Sequence, residues 1–315
     1  MLKPGSNLIF LMLFIFSCRK EESASFNLLI TQSSDELTAI HLFDDNQILA
    51  VGGKTWERSV ALVSHDAGHE WQRITLEGRG LYAMAADRSG KIYSCGLDKR
   101  IFTFTPQTHQ QYLFGDYIAF KSLDVYDSAH IILAGGESIG KGYLYKASLS
   151  AGTMEEIFSL NREMNVVHCI DSLRWLAAGF GLLIRSVDGG NSWDTLDIRG
   201  EHFLDLCTIQ DSVMFLCGIG GSIYRSADYG KHWITLRDAT KIFVSAKPFR
   251  CICFKNLNEG IVAGEQGIVW LTKDSGYHWI SLEGLPGVDY LDAQYRNGNY
   301  WICGSNGTVI CLKDQ

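Results

Sequence analysis

The chain has only four prolines in 315 residues and no sustained helical period. It lacks the alternation of strands with long amphipathic helices that an α/β fold would show. No run of 18 apolar residues occurs, so no segment is long enough to cross a bilayer as a helix. Basic stretches interleaved with aromatics are absent, and with them the usual footprint of nucleic-acid binding. There is no Cys-x-x-Cys, no Gly-x-Ser-x-Gly, no phosphate loop and no dinucleotide-type Gly-x-Gly-x-x-Gly. The nine histidines show no metal or catalytic spacing. Neither a cofactor nor a metal is therefore expected, and no catalytic residue is assigned.

What is present is repetition. A Ser/Thr-x-Asp-x-Gly-x-x-Trp box begins at Ser64, Ser186, Ser226 and Thr272, at intervals of 122, 40 and 46. The first interval is about three periods, and degenerate copies at Thr105–Tyr112 and Ser148–Glu155 fill the gap without the Asp; their turns are expected to be looser. In the four full boxes Asp66, Asp188, Asp228 and Asp274 should accept backbone N–H bonds from a tight hairpin loop. The Gly three residues before the Trp supplies positive φ. Trp71, Trp193, Trp233 and Trp279 then open the next strand and bury a large ring. The box reads as structural, so Asp188→Ala should destabilise more than an ordinary surface change without affecting binding.

A second repeat is more complete. Apolar runs end in Gly52, Gly96, Gly135, Gly179, Gly218, Gly264 and Gly304, 44, 39, 44, 39, 46 and 40 residues apart. Each is flanked by two further apolar runs, and the box Trp opens a fourth. Seven units of this size predict an all-β, seven-bladed β-propeller with four-stranded antiparallel blades. The last unit ends after its third strand, and Phe26 lies 26 residues before Gly52, much as the box Trp lies 25 before its next Gly. The N-terminal strand is thus predicted to complete the last blade and close the ring, removing an exposed edge.

Three segments are expected: a signal peptide over 1–17, a tether over 18–25 and the propeller over 26–315. Lys3 precedes a nine-residue apolar run, Leu8–Phe16, which is too short to span and reads as a secretory signal. It ends at Ile15-Phe16-Ser17-Cys18, which resembles a bacterial lipobox and implies acylation of Cys18. The following Lys20, Glu21 and Glu22 resemble the tag that exports certain lipoproteins to the outer face of the outer membrane. Outer-membrane anchoring with cell-surface exposure is the resulting expectation. Removing residues 1–17 takes away Lys3, so the formal charge becomes −7 − 1 = −8. The eight cysteines beyond Cys18 read as small apolar fillers, with Cys207–Cys217 the one pair worth testing as a disulfide.

Loop lengths locate a candidate site. From Gly to box takes 7 or 8 residues in units four to six, but 12 in unit one and 13 in unit three. An insertion also falls around Asp238–Lys247, where Trp233 to Gly264 takes 31 residues instead of 25. All three are expected on the face opposite the boxes. That face should also collect Trp56, Arg58, Arg79, Lys99, Arg100, Arg162, Arg199, His202, Phe203 and Arg250. Arginine and aromatic residues are the types enriched at interfaces, so these are the partner-binding candidates, with Trp56 and Arg58 as anchors.

The boxes, with Gly-x-x-Gly before the third strand (Gly218–Gly221, Gly264–Gly267, Gly304–Gly307), resemble the photosystem II assembly/stability factor propellers over nearly all of residues 26–315. That resemblance implies a seven-bladed, non-enzymatic protein that binds a partner through an Arg-bearing face. The boxes also resemble those of bacterial neuraminidases, which implies glycoside hydrolysis. The Arg-Ile-Pro element of that family is absent, its rings have six blades, and Glu57, Glu137, Glu163, Glu201 and Glu265 suggest no facing pair. The reading is a non-catalytic surface lipoprotein that docks an outer-membrane protein or complex, with a glycan-binding surface lipoprotein as the alternative.

Overall fold

The computed structural model describes residues 21–314 except 116, 128, 138, 139, 199, 242 and 243. Its strands form seven antiparallel four-stranded sheets arranged as a propeller. Blade 1 comprises Glu36–Leu42, Ile48–Lys54, Arg58–Ser64 and Gln72–Ile74, and blades 2 to 6 follow in chain order to Ile280–Glu283. Blade 7 takes three strands from the C-terminus, and Phe26–Ile30 adds the fourth by pairing with Thr308–Lys313. Ring closure by the N-terminal strand is as the spacing predicts.

The expected tether differs. Glu21–Ser23 is a strand, lying parallel to Ile280–Glu283 as a fifth member of blade 6. Register runs from Glu21 opposite Ser281 to Ser23 opposite Glu283, and Ala24 N–H donates to Glu283 O at 3.0 Å. An outer blade edge leaves backbone groups unpaired, and a nearby extended segment satisfies them.

There is no single core. Seven apolar clusters sit one at each blade–blade interface, such as Ile132, Ala134 and Leu144 of blade 3 against Trp175, Ala177 and Ile184 of blade 4. The box tryptophans close these wedges from outside: Trp71 packs against the blade 7–1 cluster and Trp193 against the blade 3–4 cluster. Trp233 and Trp279 do the same at the 4–5 and 5–6 interfaces. Second and third strands are buried on both sides, which is why they read as continuous apolar runs rather than alternating ones.

The box turns are built as expected in part. Asp188 accepts the backbone N–H of Ser192 at 2.9 Å and the hydroxyls of Ser186 and Ser192 at 2.9 and 2.6 Å. The buried bond, however, belongs to the first residue of the box. Ser186 Oγ accepts the N–H of Gly190 at 2.8 Å, and Ser64, Ser226 and Thr272 repeat this at 2.8, 3.0 and 2.9 Å. Gly190 has φ +83°, and a side chain there would meet Trp175. The degenerate turns of blades 2 and 3 are closed by other contacts. Thr105 N–H donates to Thr108 O at 2.9 Å, and Ser148 pairs directly with Thr153 across a short hairpin.

The seven repeated glycines have a role of their own. A Cβ on Gly52, Gly135, Gly179, Gly264 or Gly304 would lie within 1.9–2.0 Å of a carbonyl oxygen at, or one residue before, the start of the first strand. Only glycine allows that approach, and at this point every first strand carries a β-bulge. The eight cysteines among the described residues are free; Cys207 faces Phe215 and Cys217 faces Asp205, so the two thiols are out of register and form no bridge.

Candidate functional site: the channel mouth

Each bulge turns one extra residue toward the ring axis. The seven are Thr38, Tyr82, Lys121, Asn165, Leu204, Arg250 and Leu291. All seven line a cavity of about 270 Å³ at one mouth of the central channel, together with Glu36, His202 and Ile219. The residues just before them, Leu37, Leu81, Phe120, Met164, Phe203, Phe249 and Tyr290, are essentially inaccessible. One ring is thus packed and the next is displayed.

Phe203 belongs to the packed ring: its ring lies edge-on to Tyr224 at 5.8 Å. It is not a docking residue, contrary to expectation, because the bulge puts its side chain inside and Leu204 at the axis. The exposed aromatic beside His202 is Phe180, edge-on to the imidazole at 5.4 Å.

At the mouth, Glu163 is gripped by Lys121 and by His202, whose Nε2 lies 3.2 Å from its carboxylate. Burial would raise the Glu163 carboxyl, but the bonds from His202 and Lys121 prevail and hold it down at about 2. Asn165 donates Nδ2–H to Phe203 O at 3.1 Å and approaches His202 Nε2 at 2.7 Å. Its Oδ1 is buried and accepts nothing from the described residues. Arg250 pairs with Glu265 across the rim. Glu36, facing the same cavity, is pushed above its ordinary value by burial.

A deeper cleft of about 570 Å³ opens beside the mouth between blades 1, 2 and 3. Its walls include Trp56, Tyr117, Tyr82, Leu97, Glu137 and Lys121. Trp56 and Tyr117 are 62% and 66% exposed, so two accessible aromatic rings wall the cleft. The Arg79 guanidinium lies 5.5 Å from the Trp56 ring centre while pairing with Asp98.

The expected basic patch is mostly spent internally. Arg58 binds the buried Asp35 carboxylate at 2.7 Å, and Arg73 binds its other oxygen at 3.0 Å. Arg162 donates to Gly181 O at 3.4 Å, Arg100 to Glu77 O at 3.3 Å, and Lys99 lies over the Tyr145 ring at 4.7 Å. Arg58 therefore serves as a strut for the buried Asp35. Cys18, Lys20 and Arg199 lie outside the described residues, whereas Glu21 and Glu22 sit in the added strand of blade 6.

Like Glu163, the other four candidate glutamates have partners inside the fold. Glu201 is buried and accepts N–H bonds from His202, Gly220 and Ser222 at 2.9, 2.8 and 3.0 Å. Glu265 is held by Arg250, Glu137 accepts the Tyr143 hydroxyl at 3.0 Å, and Glu57 pairs with Lys54. Among the described residues no group of three or more His, Cys, Asp or Glu side chains could hold a metal ion.

Within the channel, carboxylates of one blade cap free first-strand N–H groups of the next. Asp205 accepts from Ile252 at 2.8 Å and Asp292 from Ile40 at 2.8 Å. Burial pushes these carboxyls up to about 7 and about 6.

The fold and this mouth define a seven-bladed propeller with one repeated face and one individualised face. No family model and no curated protein matches the chain. Solved structures do. YCF48 bound to D1 peptide superposes with TM-score 0.71 at 12% identity, covering 94% of this chain and all of that one. YCF48 from Cyanidioschyzon merolae gives 0.69 at 12%, covering 92% and 99%. The WD40 propeller domain of Doa1 gives 0.71 at 14%, covering 93% and 98%. With 1354 solved chains matching, the likeness specifies the fold and not the activity.

Proposed function

We propose that the protein is a non-catalytic lipoprotein, anchored through Cys18 in the outer membrane and exposed at the cell surface, whose channel mouth docks a segment of a partner protein. The observation that carries this is the mouth itself. Seven equivalent backbone positions present seven side chains to one opening, and the adjoining cleft is walled by two exposed aromatic rings. Rings of this kind supply contact area at little entropic cost. The engagement of Glu57, Glu137, Glu163, Glu201 and Glu265 within the fold argues for binding rather than hydrolysis. The D1 peptide bound by YCF48 is a precedent on the same fold. An integral protein or complex of the outer membrane is the expected partner. The test is affinity purification of the tagged protein from detergent-solubilised membranes. Stoichiometric recovery of an outer-membrane protein supports docking. Recovery of none, with binding to a glycan array, would replace it with a glycan-binding role.

A further inference from the structure

Four of the large hydrophobic side chains that the fold leaves exposed lie on the box face, and all four belong to blades 4, 5 and 6. Leu173 and Val187 flank the turns of blade 4, Tyr229 sits in the box of blade 5 and Tyr277 in the box of blade 6. The arc is continuous, since Gly189 N–H donates to Leu173 O at 2.9 Å and the Arg174 guanidinium of blade 4 stacks over Tyr229 of blade 5 at 4.4 Å. Exposed Lys231 and Lys273 stand in the same two boxes. The aspartates among them are turned back on their own loops, as Asp228 on His232 and Asp274 on His278, at 2.6 and 2.5 Å. At the equivalent turns of blade 1 the face is polar, with Asp45, Asn46 and His65.

The chain enters the fold beside this arc. Glu21 is aligned with Ser281, two residues after the box Trp279 of blade 6. Cys18 precedes Glu21 by three residues, which can span at most about 11 Å when fully extended. An acyl chain on Cys18 would therefore hold the bilayer surface close to the box of blade 6. Tyrosine and leucine flanked by lysine are the residues that settle at a headgroup boundary.

The geometry points to a phospholipid bilayer surface as the occupant of the box face over blades 4 to 6, which would turn the channel mouth and Trp56 away from the membrane. This rests on the lipid anchor proposed above. The chain length available to the anchor and the one-sided apolar arc both favour the bilayer over a second protein.

The test is lysine footprinting of the full lipidated protein with a membrane-impermeant amine reagent. One sample is bound to phosphatidylethanolamine–phosphatidylglycerol vesicles and the other is in dilute detergent. Labelling of Lys231 and Lys273 should fall at least about threefold on vesicles relative to Lys54 and Lys241, which belong to the opposite face. Protein that floats with vesicles but labels equally at all four lysines overturns the orientation alone. Protein that fails to float with vesicles overturns the anchor and the orientation together.

Discussion

The two faces of the ring are built on opposite principles. At the box face the same residues recur: Ser or Thr accepts the Gly N–H, Asp accepts the N–H just before the Trp, and the Trp closes the blade interface. At the channel mouth the backbone recurs and the side chains do not. Seven bulges present Thr, Tyr, Lys, Asn, Leu, Arg and Leu. Repetition of side chains marks where geometry dictates the residue. Variation on a repeated backbone marks where a surface is free to be individualised.

That contrast can be broken most severely at a glycine. Gly264→Ala would place a Cβ 1.9 Å from Pro248 O and force the first strand of blade 6 outward. A loss of about 3 kcal/mol in denaturant unfolding is expected, the upper end of overpacking costs. An unchanged midpoint would mean the bulges do not depend on these glycines.

The next effect separates two residues of one box. Ser186→Ala strands the buried N–H of Gly190 and should cost about 1–3 kcal/mol. Asp188→Ala removes an exposed bond and should cost less, reversing the weight that the sequence pattern puts on the Asp. The two midpoints, measured side by side, settle the order.

The channel contributes a pH dependence. Asp205 and Asp292 hold their protons more tightly in the fold than their ordinary value of 3.8 allows. Stability should therefore fall as pH rises from about 4 to about 7. Asp188 and Asp228, held at about 2, work the other way, and their contribution is lost only as pH drops below about 4. Asp205→Asn keeps an acceptor for Ile252 and should flatten the upper slope. A melting profile that keeps the wild-type slope would exclude Asp205 as its source.

The Gly period was enough to count blades and predict closure, because strand two must always make room for the bulge. The mouth was legible in principle too: Tyr82, Lys121, Asn165, Leu204 and Arg250 each stand 14 residues before their glycine, and Thr38 does so before Gly52. Leu291 stands 13 before Gly304. What hid this ring was the bulge, since one extra residue swaps the inward and outward sides of a strand. Phe203 was misplaced by that single step. The pairing of Arg58 with Asp35 and of Arg250 with Glu265 joins separate loops, and no local pattern announces it.

The central claim is that the mouth recognises the protein partner, while the Ser/Thr, Asp, Gly and Trp of the boxes hold the blades together. Trp56 and Tyr117 are the cleanest probes, because both are well exposed, whereas Arg58 also neutralises Asp35. The decisive measurement is recovery of the co-purifying partner by the Trp56→Ala/Tyr117→Ala protein against recovery by the wild type, with melting followed in parallel. Hot-spot aromatics typically carry about 2 kcal/mol or more each, so recovery should drop by at least about thirtyfold at limiting concentration while the melting temperature stays near native. Undiminished recovery by this variant, with loss of the partner in Ser186→Ala protein that is still folded, would place recognition on the box face and contradict the account.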